Sequence, residues 1–171
     1  MPPLPWPTFP PPCTIVAKPH LDEELRGIAA NAVSAMDLQA LVENDPEIGM
    51  VALRCAAEIA QASGSDAARS SFEEKLTQYA KNLAERRSQR LLPADEKDVV
   101  PNLVEAAAAC SRSNSAADGF GRFGRIVVKL ATAWPAITPH LRDVVGSLAT
   151  DSHPATSAPL RDAWLKLRAI N

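Results

Sequence analysis

A chain of 171 residues with 46% hydrophobic residues can bury a core, but only 5% of it is aromatic, so that core has to be built from Ala, Leu, Val and Ile. A formal net charge of −2 and a pI near 5.9 argue against nucleic acid as the main ligand. No stretch approaches the ~20 apolar residues of a membrane span, and the N-terminus lacks the basic start and apolar centre of a signal peptide, so a soluble, intracellular and by default cytoplasmic protein is expected.

Residues 1–12 form a proline-rich tail, with seven prolines at positions 2, 3, 5, 7, 10, 11 and 12. Proline donates no hydrogen bond, so extended polyproline II geometry is expected. Trp6 and Phe9 sit within this run and suit a docking strap for a partner groove or for the protein's own surface. A plain linker is the other reading. The tail is taken as residues 1–18, followed by a single α-helical domain over 19–171.

A first helix is expected from Leu21 to about Val42, with Asp22, Glu23 and Glu24 at the positive end of its dipole. Ser34 to Asp37 offers a second cap within it. The run Asn44-Asp45-Pro46-Glu47-Ile48 then opens a helix as a capping acid followed by proline at the first turn. Ile48, Val51, Ala52, Cys55 and Ile59 recur at helical spacing, and Met50, Leu53 and Ala57 widen that stripe. A helix apolar on two sides needs cover on two sides, which predicts a middle layer of stacked helices.

Gly64-Ser65 breaks that helix. From Asp66 to Arg90, Phe72, Leu76, Tyr79 and Leu83 mark a single inward stripe, with Glu73, Glu74, Lys75, Gln78, Lys81, Glu85 and Arg86 on the wet side. Pro101 is expected to open the next helix, with Leu103, Val104, Ala107 and Ala108 inside. Ser111 to Gly121 reads as a polar loop. Arg122 to Trp134 reads as a helix halted by Pro135. Thr138-Pro139 starts another, with Leu141, Val144, Val145 and Leu148 inward. After a turn over 151–155, Ser157 and Pro159 open the last helix, which turns Leu160, Trp164 and Leu167 inward.

A short theme recurs at Pro19-His20-Leu21, Pro101-Asn102-Leu103 and Pro139-His140-Leu141, at offsets suggesting helix-pair units of ~40 residues. Val99-Val100-Pro101-Asn102-Leu103-Val104-Glu105-Ala106 resembles the opening of a helix in armadillo or HEAT repeats. Asn44-Asp45-Pro46-Glu47-Ile48 with Ala52-Leu53-Arg54 resembles the turn and second helix of a HEAT repeat. The resemblance covers residues 45–60 and 99–169, about half the chain. It implies an all-α fold of stacked antiparallel helix pairs and a function in binding other proteins. An irregular helical bundle is the alternative architecture.

Gly119-Phe120-Gly121-Arg122-Phe123-Gly124-Arg125 contains a GxGxxG, but no strand precedes it, so it does not read as a dinucleotide site. Its phenylalanines are expected to fold back and staple a helix start. Its arginines, with Lys81, Arg86, Arg87 and Arg90 at the end of the long helix, form the alternative footprint of a phosphate backbone or an acidic partner.

Cys13, Cys55 and Cys110 form no CxxC, and the odd count favours a reducing compartment. Cys55 and Cys110 read as small core residues. His20, His140 and His153 are scattered, and no metal-binding or nucleophile motif appears. The expectation is therefore a non-catalytic protein-interaction or assembly module, without metal or cofactor, whose partner is another protein or a second copy. The alternative is a helical nucleic-acid-binding module using Arg86, Arg87, Arg90, Arg122 and Arg125.

The charge is polarised along the chain. Residues 1–79 hold 5 Lys/Arg against 11 Asp/Glu, and residues 80–171 hold 13 against 9. Such a chain can stack head to tail or offer its basic half to an acidic partner.

Overall fold

The computed structural model describes the backbone of residues 46–88 and 96–170, the side chains of 51–87 and 99–170, and isolated helical positions between 28 and 40. Residues 1–27, with Trp6 and Phe9, lie outside the described residues, as do Asp45, Arg90 and most of the helix expected over 21–42.

Six α-helices follow in order: α1 Pro46–Ala62, α2 Asp66–Ser88, α3 Glu96–Ser111, α4 Ala116–Ala133, α5 Thr138–Asp151 and α6 Ala158–Ala169. A 3-10 turn, Pro135–Ile137, leads into α5. There is no strand among the described residues. Local chemistry sets the boundaries. Gly64 takes φ 65°, a left-handed conformation that costs glycine nothing, and ends α1. Ser65 Oγ then accepts from the Ala68 N–H at 3.3 Å in the first turn of α2.

The helices come in pairs and the pairs stack. From the first pair to the second, the starts move from Pro46 to Glu96 and from Asp66 to Ala116, the same interval for both members. From the second pair to the third they move from Glu96 to Thr138 and from Ala116 to Ala158, again an equal and slightly shorter interval. Contacts follow the same period: α1 packs on α3, α2 on α4 and α4 on α6, with further contact within the pairs and between α3 and α5. The result is an all-α array in two rows, α1–α3–α5 and α2–α4–α6.

The core is aliphatic and alanine-rich. Phe72, Leu76, Leu103, Phe123, Ile126, Leu130, Leu141, Leu160 and Leu167 are each at most 1% exposed. The inward stripe expected for α2 is all buried. That of α1 is rotated: its buried apolar residues are Leu53, Ala56, Ala57 and Ala60, while Val51 is exposed and Ala52, Cys55 and Ile59 are only half-buried. The small Ala56, Ala57 and Ala60 let neighbouring helices approach closely, which the bulkier Val and Ile face does not. Trp164 is half-buried with the Arg168 guanidinium 5.0 Å from its ring centroid.

Three further expectations change. Pro101 lies inside α3, on its exposed side, well after the start at Glu96. The proline theme therefore does not mark equivalent helix starts. Cys55, expected in the core, is only half-buried, whereas Cys110 is a free, buried thiol. The loop expected over 111–121 shrinks to 112–115, because Ser115 caps α4 by accepting from the Asp118 N–H at 3.4 Å.

The GxGxxG is therefore helical, and its glycines differ in role. A Cβ on Gly124 would lie 2.9 Å from Ala163 Cβ and 3.4 Å from the Pro159 carbonyl oxygen, so this glycine permits the close approach of α4 and α6. A Cβ on Gly121 would meet nothing within 4 Å. Alanine substitutions should thus act with opposite sign. Gly121→Ala should stabilise by ~0.5–1 kcal/mol through helix propensity. Gly124→Ala should lose that gain to overpacking and destabilise by about 1–2 kcal/mol. Urea denaturation of the two variants checks this, and a stabilised Gly124→Ala would mean that α4 and α6 are not this close.

Candidate functional site

Glu73 on α2 is a buried carboxylate, only 4% exposed. Two cations reach it from α4: Arg125 Nη2 donates to Oε1 at 2.7 Å and Lys129 Nζ to Oε2 at 3.0 Å. Arg125 and Lys129 stand one turn apart on the same face of α4, where like charges alone would repel. The shared carboxylate holds them side by side. Burial pushes the Glu73 carboxyl upward, but the hydrogen bonds and positive charges of Arg125 and Lys129 outweigh it and hold the group below its ordinary 4.5. The Arg125 guanidinium is raised in turn, chiefly by its hydrogen bond to Glu73.

The sequence places Glu73 on the wet face of α2, and that expectation is corrected. Its partners lie 52 and 56 residues away in sequence, and only the stacking of α4 on α2 covers it. Two more ion pairs span neighbouring helix pairs in the other row. Arg54 of α1 meets Glu105 of α3 at 3.0 Å, and Arg112, just beyond α3, meets the buried Glu58 of α1 at 3.2 Å.

Beside Arg125 and Lys129, α4 and α6 frame a groove of about 330 Å³. Its apolar lining comes from Gly121, Gly124, Val128, Pro159 and Ala163. Its rim carries Arg125, Lys129, Lys166 and Asp162. Lys166 and Asp162 pair at 2.8 Å, with side chains 62% and 64% exposed. Arg125 and Lys129 are 56% and 46% exposed, so each keeps donors facing solvent beyond Glu73. Leu165, just after Asp162 on α6, is 60% exposed.

The arginines singled out from the sequence do not form one patch. Arg125 is at Glu73, whereas Arg86 lies several turns further along α2, about 20 Å at helical rise. Arg86 and Arg87 are in the last turn of α2, Arg122 is half-buried on α4, and Arg90 is outside the described residues. Phe120 and Phe123 turn into the core, 6% and 0% exposed. Cys110 is also buried, and burial, with the Glu73 charge second, pushes its thiol up to about 12, so it is a poor nucleophile. His153 Nδ1 accepts from the Ala155 N–H in a turn at 3.2 Å, and no cluster of three metal-ligating side chains occurs among the described residues. Among them, too, no helix is long and apolar enough to cross a membrane.

The charges also sort by row. The helices α2, α4 and α6 together hold 11 Lys/Arg against 6 Asp/Glu, while α1, α3 and α5 hold 3 against 7. Fold and site together define an all-α protein of stacked helix pairs with a basic row and an acidic row. The chain matches no family model, no curated protein and no solved structure.

Proposed function

We propose that this protein is a non-catalytic interaction or assembly module, a short HEAT-like array that binds another protein through its helical rows and its proline-rich tail. The observation that carries this reading is the groove between α4 and α6, which is lined in part by bare helix backbone and rimmed with charge. Helix pairs whose two members start at matched intervals, stacked in two rows, support the repeat reading. In the tail, Trp6 and Phe9 are the proposed anchors.

A protein partner is favoured over nucleic acid because Phe120 and Phe123, the rings nearest the α4 arginines in sequence, are buried and cannot stack on bases. The test is affinity capture from native lysate with the intact chain and with a variant lacking residues 1–13, each with and without nuclease. A stoichiometric protein that survives nuclease and is captured less by the truncated chain is the expected result. Enrichment that disappears with nuclease would move the assignment to nucleic acid and the arginines.

A further inference from the structure

We infer that the groove between α4 and α6 is a seat for an extended acidic peptide segment of a partner. The inference rests on the interaction-module reading and names the chemistry that module recognises.

Three observations converge on the groove. The first is Gly121. A glycine inside a helix is unfavourable relative to alanine, and it persists where a turn, a positive φ or a close neighbour requires it. None of these applies, because Gly121 is helical with negative φ and its missing Cβ would meet nothing. Gly124, one turn on, is explained by Ala163; at Gly121 no described residue stands where a side chain would, so the α4 backbone lies bare to the groove. A peptide main chain is narrow enough to use that bareness.

The second observation is charge. The rim carries Arg125, Lys129 and Lys166 against Asp162, with Glu73 beneath. One buried carboxylate serves two cations, so the groove keeps a net positive charge. Glu73 accepts from one guanidinium nitrogen of Arg125, whose side chain stays 56% exposed. Glu73 is thus a positioning residue that fixes the spacing of the two cations. The third is the setting of the groove in the basic row α2–α4–α6, whose field steers an acidic segment toward it.

The surplus at the rim is about one charge, which suits a few carboxylates. A phosphate backbone needs a far denser array of cations.

The test uses the full chain and a fluorescein-labelled (Glu-Gly)4 peptide, read by fluorescence polarisation at low salt, with (Lys-Gly)4 and an eight-nucleotide thymidine oligomer as comparisons. The acidic peptide should bind at least tenfold more tightly than either, and more weakly as salt rises. Gly121→Leu should weaken it at least tenfold while the melting temperature stays level or rises, because the new side chain fills the groove and not the core. Lys166→Glu should weaken it similarly, and Lys81→Glu, an equal charge change on the exposed surface of α2, should change it less than about twofold.

Undiminished binding by Gly121→Leu, an equal effect of Lys81→Glu, or equally tight binding of the oligomer would each overturn the inference. So would a concentration-dependent dimer of the wild-type chain in sedimentation that Gly121→Leu abolishes, since the occupant would then be a second copy. If the acidic peptide fails to bind while a nuclease-resistant partner is still captured, the peptide chemistry is wrong and the interaction module stands. If no partner is captured, the module reading itself falls.

Discussion

Leu103→Asp should leave no folded population of this domain at neutral pH, whereas Ile59→Asp should leave a folded protein that melts at lower temperature. Leu103 is fully buried on α3, the helix that contacts α1, α2, α4 and α5. Replacing it removes a buried leucine, about 1.5–3 kcal/mol of apolar burial. It also sets an unpaired carboxylate among apolar neighbours at a cost of several kcal/mol more. Together these approach the ~5–15 kcal/mol of total stability usual for a single domain. Ile59 is half-buried on α1, so an aspartate there can reach water. Its cost should stay near ~1–3 kcal/mol. Leu103→Met, nearly isosteric, should cost under about 1.5 kcal/mol and serves as the packing control. Helicity at 222 nm against temperature, with gel filtration for compactness, separates the three. A Leu103→Asp protein that melts within a few degrees of the parent would mean that α3 does not turn this face inward.

Much of the helical register is legible along the chain, because it is written in spacings of three and four. Phe72, Leu76, Tyr79 and Leu83 declare the inner face of α2, and all four are buried. What local pattern does not carry is anything decided across helix pairs. Glu73 reads as a wet-face residue because it is a carboxylate outside the Phe72, Leu76, Tyr79 and Leu83 stripe, yet its two partners arrive from α4. The glycines before Arg122 lower helix propensity and so read as loop. Capping by Ser115 and packing of Gly124 against Ala163 outweigh that local cost. Pro101 reads as a helix start because the first turn is where proline fits best, and the helix nevertheless begins earlier, at Glu96. Charge is misplaced in the same way. Counted by halves of the chain, it separates an acidic first part from a basic second part; once folded, it separates one row of helices from the other. The groove is the least legible feature, since its lining comes from α4 and α6, which a whole further helix separates in sequence, and its marker is the absence of a side chain at Gly121.

Removing both cations that face Glu73 should destabilise the domain in a way that pH reverses. In Arg125→Met/Lys129→Met the Glu73 carboxylate stays buried but has lost both hydrogen-bonding partners on α4. Breaking a fully buried pair typically costs ~3–5 kcal/mol. Here both cations are about half exposed, so solvent screening trims the expected loss to about 2–3 kcal/mol at pH 7. In the parent, Glu73 is held below its ordinary 4.5. Its contribution is therefore fully present above that value and is lost as pH falls through the lowered one. In the variant, burial acts alone and raises the carboxyl, so the variant gains stability relative to the parent as Glu73 takes up a proton. The difference in melting temperature should be largest near neutrality and should narrow as pH is brought from 7 to 4. Adding Glu73→Gln to the double variant removes the buried charge and should restore part of the loss at pH 7, with little pH dependence remaining. A gap that stays constant from pH 7 to 4, or a triple variant no more stable than the double, would mean that the Met substitutions act through packing and that Glu73 is not the charge these two side chains serve.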